Sequence, residues 1–178
     1  GIPVLIDPKP PAYRRYRGAT ALTPNRGEAS TYAGFPVVDE ETAAKAAAKI
    51  REDLELDAVV VKMDEDGIFL DTTEGESSQF PIVPKEVYDV TGAGDMVISM
   101  LGMVLAGGGR YPDAVRIANI AAGIEVAHLG VVPVSREEIL MELVSGSPGA
   151  EGKVLSQSDL LEVLAARRQH GEKVVFTN

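Results

Sequence analysis

Residues Asp89-Val90-Thr91-Gly92-Ala93-Gly94-Asp95 follow a strand-like segment and run straight into an apolar helix, an order that restricts the chain to folds in which strands feed helices. Small residues at such a turn leave backbone N–H groups uncovered at a helix N-terminus, where an anion can sit. Gly92 and Gly94 reach backbone angles closed to other residues and let a ligand approach closely. Asp95 stands at the mouth of that anion site. A carboxylate beside a phosphate-accepting turn suits general-base work on a hydroxyl that attacks a phosphoryl group. The plainer reading is a glycine-rich turn whose Asp95 only caps the helix.

The residues after the glycines exclude two better-known loops. A P-loop continues with Lys and Ser or Thr, whereas here the chain continues Asp95-Met96-Val97. A dinucleotide fingerprint places a third glycine near position 97, where Val97 stands.

The surrounding pattern alternates. Val4–Ile6 and Ala21–Thr23 read as short buried strands, and Ala58–Val61 as a strand buried on both faces. Helices are predicted from about Asn25 to Thr31, over 40–54 behind an Asp39 cap, over 95–106 up to Gly107-Gly108-Gly109, and from Pro112 to near Gly130, with Gly130 as C-cap. Ile68–Asp71 and Gln79–Val83 suggest a hairpin, and Ser135 with Glu138 a capping box that opens a helix over 136–144. Together these predict an α/β domain with a mostly parallel sheet flanked by helices. We place that domain at 1–144 and a Gly/Ser/Pro linker at 145–152. The remaining 153–178 holds a helix (156–170) and the strand 173–176, which opens something new.

Composition removes several function classes. With 17 basic and 27 acidic residues among 178, the net charge of −10 argues against nucleic acid as partner. The basic cluster Arg14, Arg15, Arg17 is either a solvated loop or a sugar-phosphate contact. There is no cysteine, which excludes disulfides and thiolate chemistry, and His128 and His170 stand too far apart in sequence to suggest a His-based metal site. The most apolar stretch, 96–106, is too short to span a bilayer, and the first residues lack a basic leader, so the expectation is a cytoplasmic protein without membrane contact.

Other positions carry candidate chemistry. Asn25 and Glu28 lie one helical turn apart at the edge of the sheet where open α/β folds bind ligands, and two oxygens on one face suit hydrated magnesium. The alternative is an Asn25 cap with a solvated Glu28. Lys62 leaves the third strand toward a sharp turn at Gly67, by way of Asp64-Glu65-Asp66. Asn119 sits on a helix of small residues, either near a ligand or in a packing hydrogen bond.

The heptad 89–95 resembles the signature Asp-Thr-x-Gly-Ala-Gly-Asp of the ribokinase-like (PfkB) sugar kinases, with Val90 in place of the usual Thr. The resemblance implies that Asp95 is the catalytic base and that Gly92, Ala93 and Gly94 form the anion hole. It also implies that Asn25 and Glu28 organise magnesium, that Lys62, Gly67 and Thr91 lie along ATP, and that Asn119 lies near the base. The segments at Asp89 and Gly130 resemble loops that hold a monovalent cation such as K+ in some members.

Val4-Leu5-Ile6-Asp7-Pro8-Lys9, Tyr16-Arg17-Gly18-Ala19-Thr20 and Leu22-Thr23-Pro24-Asn25 narrow the resemblance to the heptose 7-phosphate kinase branch, commonly fused to an adenylyltransferase. The tail 171–178 resembles the opening strand of that second domain, without its Gly-Cys-Phe-Asp and His-x-Gly-His motifs. This implies a partial domain, lacking the N-terminal sugar-binding half and its β lid. The implied partners are a sugar phosphate and ATP, with a homodimer or association with that half. The sequence leaves two function classes: an ATP-dependent sugar kinase, or a catalytically incomplete nucleotide-binding or interaction module.

Overall fold

The computed structural model describes residues 2–82 and 87–145, together with Leu161 and Leu164. The linker beyond Ser145, most of the helix at 156–170 and the strand at 173–176 lie outside the described residues, as does the end of the second hairpin strand at Val83. The chain divides into two units, residues 1–134 and 135–178.

In the first unit, strands β1 (Leu5–Ile6), β2 (Ala21–Leu22), β3 (Ala58–Lys62), β4 (Ile68–Thr72) and β5 (Ser77–Phe80) form one sheet in sequence order. β1–β2 and β2–β3 pair parallel, with Leu5 beside Ala21 and Ala21 beside Ala58. β3–β4 and β4–β5 pair antiparallel, with Val60 opposite Leu70 and Leu70 opposite Ser78. The balance comes from connection length. Two helices bridge β2 to β3, long enough to cross over, whereas the short turn at 63–67 can only fold β4 back on β3. The parallel character is therefore confined to β1–β3, and the sheet as described is mixed.

Those helices are α1 (Arg26–Ala33) and α2 (Glu40–Leu54). Asp39 caps α2 by accepting from Thr42 N at 2.8 Å, and Thr42 Oγ1 accepts from Asp39 N at 3.0 Å. The helix then buries Ala43, Ala46, Ala47, Ile50 and Leu54, a stripe at helical spacing. This stripe shares a core with Val59, Val61 and Phe69. Val60 points to the opposite face and is equally buried, which is why β3 reads as a continuous apolar run.

Helices α3 (Ala93–Ala106) and α4 (Tyr111–Glu125) pack on one another, α4 against β4 and β5, and α3 against β1. α3 begins two residues before Asp95. α4 stops at Glu125, not near Gly130. The reason is that the next carbonyl, Val126 O, accepts from Tyr88 N at 2.8 Å and Asp89 N at 3.3 Å, so residues 126–130 turn aside. Gly130 is therefore not the helix C-cap.

In the second unit, α5 (Arg136–Ser145) opens as its sequence suggested: Ser135 Oγ accepts from Glu138 N at 3.2 Å, and Glu138 Oε2 from Ser135 N at 2.8 Å. Among the described residues no helix is long and apolar enough to cross a membrane.

Candidate active site

Three parallel strands ending at one edge bring residues from distant stretches of the sequence together. Asp7 follows β1, Asn25 follows β2, and Lys62 closes β3, tied across by a hydrogen bond from Lys62 N to Pro24 O at 2.8 Å. Lys62 Nζ meets Asp7 Oδ1 at 2.6 Å, and Lys9 Nζ meets Asp7 Oδ2 at 2.9 Å. Burial pushes the Asp7 carboxyl up, but the ammonium groups of Lys62 and Lys9 outweigh it and hold the carboxyl below its ordinary range.

Asn25 and Glu28 form a reciprocal capping box at the start of α1. Asn25 Oδ1 accepts from Glu28 N at 2.8 Å, and Glu28 Oε2 accepts from Asn25 N at 2.8 Å. Asn25 is thus a cap, yet Glu28 is not the solvated residue that the plainer reading supposed. It is buried, with Oε1 3.7 Å from Lys9 Nζ. Among the described residues no three His, Cys, Asp or Glu side chains gather into a metal cage. Magnesium does not need such a cage; it is usually held by one or two carboxylates plus phosphate and water, and the Glu28 Oε1 left over by the capping box is an oxygen of that kind.

The glycine turn opens α3. Gly92 is the N-cap residue at φ 93°, and among the described residues no side chain caps the helix. The amides of the first turn are those without an intrahelical acceptor. Asp89 braces the approach: its carboxylate accepts from Thr91 N at 2.9 Å and Gly130 N at 3.1 Å, and the Thr91 N–H foremost holds it below its ordinary range. A Cβ on Gly94 would lie 3.3 Å from Lys62 Nζ, so the ammonium rests against the turn. Behind the turn, a Cβ on Gly92 would lie 2.6 Å from Glu125 Oε1.

A cavity of about 830 Å³ is lined by Asn25, Lys62, Gly67, Ala93, Gly94 and Asn119, with Ile68, Ile82, Val97 and Ala122 among its apolar residues. Asp95, Gly92, Thr91 and Glu28 are not among its lining residues. Asp95 is the third residue of α3 and exposed. Thr91 is exposed too, and its backbone serves Asp89. Asn119 is buried and donates from Nδ2 to Phe80 O at 3.1 Å and Pro81 O at 3.0 Å, so the packing hydrogen bond is present at the cavity wall. Gly67 takes φ 90°, and a Cβ there would lie 2.1 Å from Phe80 O.

The acids beside Lys62 have a local counterweight. Arg26 donates to Asp64 Oδ2 at 3.2 Å, Asp66 Oδ2 at 2.7 Å and Met63 O at 2.6 Å. Two residues that sequence reasoning did not place at the site are Asp7 and Glu125. Asp7 carried a signal, a carboxylate directly after a buried strand; Glu125 carried none.

The sequence model described as pfkB family carbohydrate kinase matches residues 1–138. The chain is 43% identical over 178 residues to "Bifunctional protein HldE" of Geotalea uraniireducens (strain Rf4), covering 100% of this chain and 36% of that protein. To the protein of the same name from Citrifermentans bemidjiense it is 44% identical, with 100% and 37% covered. It therefore spans little more than a third of the length of these curated relatives. Among solved structures, Thermotoga maritima ribokinase superposes with a TM-score of 0.68 at 28% identity, over 79% of this chain and 48% of that one. Arabidopsis thaliana ribokinase complexed with ribose and ATP gives 0.71 at 28% identity, over 79% and 47%. The fold is ribokinase-like.

Proposed function

The chain belongs to the pfkB family of carbohydrate kinases, and from that premise we propose that it supplies the nucleotide side of an ATP-dependent kinase acting on the C1 hydroxyl of heptose 7-phosphate. The product would be the 1,7-bisphosphate used in ADP-heptose and lipopolysaccharide precursor synthesis. The supporting observation is that the first turn of α3, with Ala93 and Gly94, and the Lys62 ammonium resting against it line one cavity together with the capping residue Asn25.

In this reading the exposed Asp95 carboxylate takes the proton of the sugar hydroxyl as its oxygen attacks the γ-phosphorus. The β–γ bridging oxygen leaves with ADP. The amides of Gly92, Ala93 and Gly94 meet the charge that develops on the transferred group. Lys62, steadied by Asp7, offsets phosphate charge from the strand edge. Gly67, Thr91 and Asn119 shape the nucleotide's side of the site, Asn119 by tying Phe80 and Pro81 to α4. Glu28, held by Asn25, would hold magnesium, which supplies charge neutralisation between phosphates when bound. A monovalent cation such as K+ would sit where Asp89 meets Gly130. Residues 1–144 would form the nucleotide-side half of the kinase domain, residues 145–152 a linker, and residues 153–178 the start of a transferase domain. Residues beyond this chain would complete the sugar pocket, with a second copy or an N-terminal half as the partner. The site of action would be the cytoplasm.

The test is Asp95→Asn in the complete protein. Turnover of heptose 7-phosphate with Mg-ATP should fall about 10³-fold, with nucleotide affinity retained. Full activity in the variant would overturn the assignment. Nucleotide binding by the wild-type protein without any sugar turnover would favour the nucleotide-binding or interaction module instead.

A further inference from the structure

Behind the glycine turn stands a carboxyl group that the phosphoryl-transfer scheme does not use. Glu125, the last residue of α4, is 1% exposed, and its Oε2 is buried with no hydrogen-bond partner among the described residues. A Cβ on Gly92 would lie 2.6 Å from its Oε1 and 3.3 Å from its Cδ. The carboxyl thus fills the space that a side chain at the N-cap of α3 would occupy. A buried carboxylate left unpaired is costly, and protonation removes the cost. Burial first, and the charge of Asp95 second, push this carboxyl up.

The N-terminus of α3 carries one positive end. A phosphate in front of it and an ionised Glu125 behind it would compete for the same partial charge. We propose that Glu125 is a positioning residue that couples anion binding at the glycine turn to a proton: its protonated form backs the turn while nucleotide phosphate is bound, and its ionised form opposes that binding. This rests on the reading of the turn as a phosphate site. The balance is simple: one proton passes from solvent to a Glu125 carboxylate oxygen as phosphate binds and returns when phosphate leaves. By reciprocity, protonation tightens phosphate binding by the same factor.

Other charged groups lie around the turn. Asp95 is on α3, and Lys62 rests against Gly94. Asp89 is held by the Thr91 and Gly130 amides, and His128, just past α4, has Nδ1 2.9 Å from Ile124 O. The experiment separates Glu125 from these groups.

Calorimetry of Mg-ATP binding to the complete protein between pH 5 and pH 9 does so, comparing wild type with Glu125→Gln and Glu125→Met. Contributions from the ligand and from the other groups around the turn are common to all three. Wild-type affinity should fall with rising pH by up to about tenfold per unit relative to both variants. In turnover, the Glu125-dependent component of the pH profile should appear in KM for ATP rather than in kcat. Equal pH slopes in wild type and variants overturn the proposal. If both variants fail to fold, wild-type titrations from pH 5 to pH 9 in buffers of different ionisation heat read proton uptake directly, and zero uptake across that range overturns it. If wild type binds no Mg-ATP at any pH, the phosphate-site reading fails and takes this inference with it. A flat difference with intact binding removes only the role of Glu125.

Discussion

Lys62 Nζ lies 2.6 Å from Asp7 Oδ1, so the ammonium that rests against the glycine turn is paired before any phosphate reaches it. The partners lie 55 residues apart in sequence and meet because β1 and β3 end at the same edge of the sheet. Such a pair fixes a flexible lysine at little cost in mobility when the ligand arrives.

Asp7→Asn should lower stability at pH 7 by roughly 1 kcal/mol, a charge-assisted bond discounted for its partial exposure. The sign of the pH dependence comes from the lowered carboxyl. Its contribution is fully present above the ordinary value of about 3.9 and is lost as pH falls through the lower folded value. Urea unfolding at pH 7 and pH 3 should therefore show a smaller acid loss in the variant. An identical pH slope in both proteins would contradict the pairing.

Gly67→Ala should destabilise the chain by about 3 kcal/mol, combining a left-handed backbone with a backbone clash. The new Cβ would meet Phe80 O at 2.1 Å, and neither the β3–β4 turn nor the segment after β5 is a flexible side chain that can step aside. Thermal unfolding is the direct measure. A variant as stable as wild type would mean that the turn takes another conformation.

Asp89→Ala removes the acceptor for Thr91 N and Gly130 N on the approach to the glycine turn. Loosened geometry at that turn should reduce turnover by roughly 10- to 100-fold. The fold should survive, because the strands and the α2 core are remote from this brace. Circular dichroism together with steady-state kinetics separates the two effects; unchanged kcat would show that the brace is dispensable.

Local signals make much of this architecture legible in the sequence. Asp39 marks the start of α2 because its cap is local, and the glycine-rich stop at 107–109 marks the end of α3 for the same reason. The extent of α4 is not legible, because its end is set by Tyr88 and Asp89, which reach Val126 O from outside the helix. Gly130, which reads as a cap, instead donates to Asp89. At the site, the glycine turn and the Asn25–Glu28 pair are contiguous in sequence and can be found. Asp7 and Glu125 acquire their setting only through tertiary packing. An isolated glutamate near a helix C-terminus looks like surface, and only its burial beneath Gly92 says otherwise.

The doubled hydrogen bond to the Val126 carbonyl has a mechanical consequence. It makes the segment entering the glycine turn an extension of α4, whose Ala114, Val115, Ala118 and Ala121 are locked into the interior. A phosphate-handling loop ordinarily borrows the softness of the surface. In the proposed role the turn at Gly92–Gly94 would inherit the stiffness of the core instead, so a volume change several turns away along α4 should be felt there.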